Sequence, residues 1–107
     1  MTIGGWFLEH NYYVYIMASR KDGAIYIGVT NDLVKRAWEH RNKIGSQHVI
    51  KYNIFLLVYY EHFTDVAEAM LREKRLKKWH RNWKNKLIEK ENPDWQDLGP
   101  QLGLDPL

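Results

Sequence analysis

Cysteine is absent from this sequence, which removes disulfides and thiolate metal sites and fits a reducing compartment. Long apolar runs are missing too: none approaches the ~18 residues that a membrane-spanning helix needs. The opening stretch MTIGGWFLEHNYY has no basic start and is interrupted by Glu9 and His10, unlike a signal peptide. The expectation is a soluble, cytoplasmic protein with no membrane partner. At 107 residues there is room for one domain and no more. Negative charge is scarce in one place. Over 72–86, REKRLKKWHRNWKNK, eight Lys and Arg face the single acid Glu73, although the net charge of the whole chain is only +3. A solvated helix face would mix signs, so this run is a candidate phosphate-binding surface.

Aromatic residues are plentiful, with seven Tyr and five Trp, and several tyrosines stand where strands are expected. YYVYIMAS (12–19) and AIYIGVT (24–30) flank RKDG, whose Asp22-Gly23 is a strong tight-turn signal. This predicts a hairpin. With Asp22-Gly23 as a two-residue loop, Lys21 pairs with Ala24, and the period of two groups Tyr13, Tyr15 and Met17 with Tyr26, Gly28 and Thr30. A loop longer by one residue from each strand keeps that parity. Val14, Ile16, Ile25, Ile27 and Val29 then form an aliphatic opposite face.

Thr30 or Asn31 is placed to cap a following helix, with Asp32 in its first turn, an apolar stripe of Leu33, Ala37, Trp38 and Ile44, and Gly45 at its end. Arg36 and His40, four apart, share one face of that helix. After the polar connection GSQHVIKYN, IFLLVYYEHF (54–63) is apolar enough for a strand buried on both faces. Asp65 with Glu68 makes a capping-box-like start to a second helix, a break falls near His80, and Asn92-Pro93 stops the last helix. The order β-β-α-β-α-α predicts an α+β domain, a small, mostly antiparallel three-stranded sheet flanked by helices, spanning 1–98 with an irregular tail at 99–107.

Glu73 breaks the pattern of the second helix, projecting near the centre of the stripe Val66, Ala69, Met70 and Leu76. A carboxylate aimed at the core requires a partner. Two readings are open: an i, i+4 pair with Lys77 at the rim, or a metal ligand or arginine partner in a cleft. Taken singly, Tyr15 and Tyr26 read as cross-strand packing, Arg36 and His40 as solvated helix residues.

Together these residues form a recognisable spacing. Tyr15 and Tyr26 are eleven apart, Tyr26 and Arg36 ten, Arg36 and His40 four, and a glutamate-bearing helix follows a buried strand. With the motif Tyr26-Ile27-Gly28 intact, and Tyr13-Val14-Tyr15 as a degenerate first motif, the chain resembles the GIY-YIG endonuclease superfamily from about residue 12 to 98. YIGVTNDLVKRAWEHR is a long match. KYNIFLLVYYE, REKRLKKW and ENPDWQDL are similar to the small stand-alone bacterial branch, itself similar to the N-terminal nuclease domain of the excinuclease C subunit.

The resemblance implies a metal-dependent nuclease acting on nucleic acid, DNA more than RNA, in which Tyr15 and Tyr26 face the scissile phosphate, Arg36 contacts it, His40 assists and Glu73 holds Mg²⁺ or Mn²⁺. It makes Tyr26 the usual general base. Some relatives carry a lysine three positions after this tyrosine, where this chain has Val29. Asn92 and Asn85 are candidates for an asparagine that the superfamily commonly has after the glutamate helix. Arg72, Lys74, Lys77, Lys78, Arg81 and Lys84 are the expected nucleic-acid contacts, with Trp79 and Trp83 either stackers or core. The alternative is a non-catalytic nucleic-acid-binding module on the same fold.

Overall fold

The computed structural model describes residues 10–105. The reading of the opening stretch therefore falls largely on 1–9, outside the described residues. β1 (Tyr12–Ala18) and β2 (Ile25–Thr30) pair antiparallel, with Tyr15 opposite Gly28 and Met17 opposite Tyr26. The hairpin closes at Ser19 and Ala24, where Ser19 N–H donates to the Ala24 carbonyl at 2.9 Å and Ser19 Oγ accepts from Ala24 N–H at 3.0 Å. Asp22 takes a left-handed φ of 60° in the four-residue loop 20–23. Relative to the predicted two-residue turn, both added residues come from the first strand. The register slides by two and the predicted faces survive.

β3 (Leu56–Phe63) pairs antiparallel with the other side of β1, so the sheet order is β2-β1-β3 and β1, not β3, is the central strand. Leu57 and Val58 are buried on opposite faces of β3, while most of the rest of the strand is only half-buried because it lies at an edge. Two cores result. On the aliphatic face, Val14, Ile16, Ala18, Ile27 and Val58 pack against Ala69, Leu76, Ile88 and Trp95. On the tyrosine face, Tyr15, Met17 and Leu57 pack against Leu33, Ala37, Val49 and Ile54.

α1 (Leu33–Arg41) begins at Asp32, whose carboxylate accepts from Lys35 N–H at 3.1 Å, one position after Asn31 and two after Thr30, the predicted caps. It ends before Gly45: Asn42 folds its amide onto the Trp38 carbonyl at 2.8 Å and Lys43 is left-handed. Its buried stripe is Leu33, Ala37 and His40, and Trp38 and Ile44 are exposed. The predicted polar connection contains a short helix, α2 (Gln47–Lys51), capped by Ser46 and anchored by buried Val49.

α3 (Val66–Lys78) is capped by Asp65, as predicted, and α4 (Arg81–Glu89) starts after a break at Trp79 and His80. α3 lies against β1 and β2. It is rotated from the predicted stripe: Ala69 and Leu76 are buried, whereas Val66 and Met70 are exposed, Met70 to 55%. The tail is tied down by Asp97, which accepts from Leu57 N–H and Gly99 N–H, each at 3.1 Å, and from Arg41 at 2.6 Å. A 3-10 turn, Gly99–Leu102, follows, and Leu98, Leu102 and Leu104 pack on the tyrosine-face core. Among the described residues no helix is long and apolar enough to cross a membrane.

Candidate active site

The pairing of Tyr15 with Gly28 builds the centre of the site. A Cβ on Gly28 would lie 2.4 Å from the Tyr15 hydroxyl oxygen and 2.6 Å from Cζ, so the buried phenol runs across β2 in space that only glycine leaves open. Tyr26, on the same face two positions earlier, places its ring centroid 6.3 Å from that of Tyr15. His40 of α1 completes the group. Its ring meets Tyr15 edge-on at 5.9 Å and Tyr26 at 5.5 Å.

His40 is buried, with Nδ1 3.3 Å from the Ile54 carbonyl oxygen. A carbonyl only accepts, so Nδ1 carries the hydrogen and Nε2 of the neutral ring is left as an acceptor. Burial lowers the His40 pKa, and Arg36 lowers it further, outweighing the Ile54 bond and Glu39, which raise it. The imidazole is thus held neutral at physiological pH. Tyr15 behaves oppositely. Burial pushes its hydroxyl well above the ordinary phenol range, reinforced by Tyr26, Glu73 and Glu39 and opposed by Arg36. Tyr15 therefore stays a protonated phenol, a hydrogen-bond donor and not a base.

The charges of Arg36 and Glu73 bear on the Tyr15 hydroxyl in opposite senses, Arg36 favouring and Glu73 opposing its ionisation. Arg36 is 44% exposed, and its Nη1 lies 2.9 Å from Glu39 Oε1. Glu73 forms the predicted rim pair with Lys77 at 3.4 Å, and its side chain is 21% exposed. A long contact to an exposed lysine is a weak tie. The carboxylate remains a hard oxygen donor suited to one divalent cation whose other ligands are water and phosphate. Among the described residues, no three His, Cys, Asp or Glu converge as a metal cluster, so a cation at Glu73 would take most of its ligands from water and phosphate.

The expected nucleic-acid contacts divide into two groups. Arg72 is committed to the fold: its guanidinium is bidentate to Glu61 at 2.9 and 2.8 Å and covers the Trp79 ring at 5.1 Å. Burial opposes the Glu61 charge, but Arg72 and the Tyr59 hydroxyl together hold its pKa below the usual carboxylate range. Arg81 binds Asn85 and the Gly23 carbonyl, Lys84 donates to the Lys77 carbonyl at 3.1 Å, and Lys77 pairs with Glu73. Lys74 and Lys78, with Arg75 and Lys86 beside them, are exposed and make no such bond among the described residues. Trp79 packs against the core, and Trp83 is exposed, edge-on to Trp79 and His80.

Asn92 is not brought to the tyrosines. It is buried, donating to the Val58 and Gln96 carbonyls and accepting from Gln96 N–H, and it lines a separate cavity of about 270 Å³ beside β3, the edge opposite β2. Asn85 instead accepts from Arg81. Glu39, which the spacing left unremarked, does join the site. Its place three residues after Arg36 reads in the sequence as a surface pair, and only its burial marks it.

A family model described as the GIY-YIG catalytic domain matches residues 11–87. A UPF0213 protein of Bacillus pumilus (strain SAFR-032) is 38% identical over 81 residues, which are 76% of this chain and 82% of that protein. Another, from Clostridium perfringens (strain 13 / Type A), is 40% identical over 92 residues, 86% of this chain and 98% of its own. The solution NMR structure of a UPF0213 protein from Bacillus halodurans matches with a TM-score of 0.51 and 29% identity, covering 91% of this chain and 99% of that one. The family match runs from the residue before β1 into α4, across every element that builds the site, and the chain belongs to the GIY-YIG family, alongside small bacterial UPF0213 proteins.

Proposed function

We propose that this protein hydrolyses phosphodiester bonds in nucleic acid, DNA in preference to RNA, as a metal-dependent GIY-YIG endonuclease of the cytoplasm. The observation that carries the reading is the packing of Tyr15 across Gly28 against Tyr26 and His40, whose Nδ1 is held by the Ile54 carbonyl. The catalytic unit is the domain 1–98.

Cleavage needs an attacking water, neutralisation of the phosphoryl oxygens and help for the leaving oxygen. Arg36 offers a permanently charged planar fork to the phosphoryl oxygens. A phenol with an ordinary pKa near 10 is about one part in a thousand ionised at neutral pH, so Tyr26 needs a proton acceptor to serve as base. With Val29 where some relatives have lysine, His40 is that acceptor: Nε2 takes the Tyr26 proton as Tyr26 takes one from water. Tyr15 keeps its proton and donates a hydrogen bond to a phosphate oxygen, and the leaving oxygen takes its proton from solvent water. Mg²⁺ or Mn²⁺ held by Glu73 would supply Lewis-acid neutralisation of the phosphate charge.

Arg36→Ala and Glu73→Gln test this assignment. Each is expected to lower cleavage by about a hundredfold or more with the melting temperature nearly unchanged. Glu73→Gln that mainly unfolds the protein would return Glu73 to a structural ion pair.

A further inference from the structure

Glu39 is built into the site in a way that a solvated helix pair would not require. Its side chain is 19% exposed while that of its partner Arg36 is 44% exposed. Although Arg36 Nη1 lies 2.9 Å away, Glu39 Oε1 is buried without a hydrogen-bond partner among the described residues, so the contact is an ion pair whose N–H is not aligned on the oxygen. The ion pair offsets part of the cost of burying this oxygen, and the hydrogen bond it does not accept leaves the rest. Such a penalty is commonly sustained at functional sites, where a charge is held for a task.

The task is legible in what surrounds it. Tyr15 from β1 and Tyr26 from β2 face His40, the Ile54 carbonyl fixes its Nδ1, and Arg36 and Glu39 flank it on α1. At both Tyr15 and His40 the charge of Glu39 opposes that of Arg36. Arg36 alone, set beside His40, would weaken the imidazole as a proton acceptor.

We propose that Glu39 is a positioning residue of the nuclease site, its carboxylate holding the Arg36 guanidinium beside Tyr15 and His40 and offsetting its charge there. This rests on the nuclease reading above. A phosphate entering the site takes the guanidinium that Glu39 has oriented, and Glu39 remains as the counter-charge for the imidazolium formed when His40 accepts a proton.

Glu39→Gln keeps the shape and removes the charge. With the full chain and Mg²⁺, kcat is expected to fall about tenfold while KM stays level or falls, because phosphate no longer competes with a carboxylate for Arg36. In the metal-free protein, the His40 imidazole titration followed by NMR is expected to move to lower pH. Glu39→Asp, which keeps the charge, retains most of the titration and recovers part of kcat, and Glu68→Gln, an exposed acid at the start of α3, changes neither. Unchanged kcat and unchanged His40 titration in Glu39→Gln would overturn the proposal. A wild-type chain that cleaves no substrate would instead sink the nuclease reading and the catalytic role with it. An unshifted His40 in a chain that does cleave counts against Glu39 alone.

Discussion

Tyr15 and Gly28 show how much one missing atom decides. Because a Cβ on residue 28 would stand 2.4 Å from the Tyr15 oxygen, Gly28→Ala must displace the phenol or the strand. Overpacking of this kind costs about 1–3 kcal/mol. The variant is expected to melt lower and to lose cleavage together, measured by thermal unfolding and a nicking assay; an unchanged protein would mean that the Tyr15 ring swings away freely. Strand parity put Tyr15 and Tyr26 on one face and helical spacing put Arg36 and His40 on another, but it was the resemblance to the GIY-YIG family that singled these four out. The two-residue slip of the hairpin register left that parity intact. Glu39 was not legible. An acid three residues from an arginine reads as a surface pair until the burial of α1 against the residues around Ile54 is known.

At the scale of elements, α3 and α4 carry the basic run, and their bonds sort it into bracing and free charge. Arg72 braces Glu61 across the sheet face, so Arg72→Ala is expected to cost about 1–3 kcal/mol of stability by leaving that half-buried carboxylate with the Tyr59 hydroxyl and no counter-charge. Lys74→Glu with Lys78→Glu should leave the melting temperature alone and weaken nucleic-acid binding, with a shallower dependence on salt. Both are read from binding curves at several salt concentrations beside thermal melts. Equal loss of binding from either change, with no loss of stability in Arg72→Ala, would contradict the division. The helix boundaries were legible from Asp65 and from the break at His80. The rotation of α3 was not, because Val66 and Met70 look like core by periodicity and only the sheet shows that Ala69 and Leu76 take that place.

For the whole molecule, the sheet holds two cores, and the tail closes the one beneath the site. Asp97 joins β3, the 3-10 turn and Arg41 of α1 through one carboxylate with little exposure. Asp97→Ala breaks a buried ion pair and two backbone bonds, and the expected loss is about 3 kcal/mol, seen as a lower denaturant midpoint. A midpoint that does not move would mean that the tail is an ornament to the fold. The sequence offered only single leucines there, and a carboxylate reaching back 40 residues to Leu57 has no local signature. The α+β order and the sheet were readable because each element carries its own pattern. The proposed metal-dependent nuclease activity is open to direct test. The most direct measurement is cleavage of labelled single-stranded, duplex and branched DNA, and of RNA, with Mg²⁺, with Mn²⁺ and with chelator, beside Glu73→Gln. The expected result is cutting that needs the metal and that Glu73→Gln lacks, with DNA cut in preference to RNA. Salt-sensitive binding with no cutting on any substrate would contradict it and leave a nucleic-acid-binding module on the same fold.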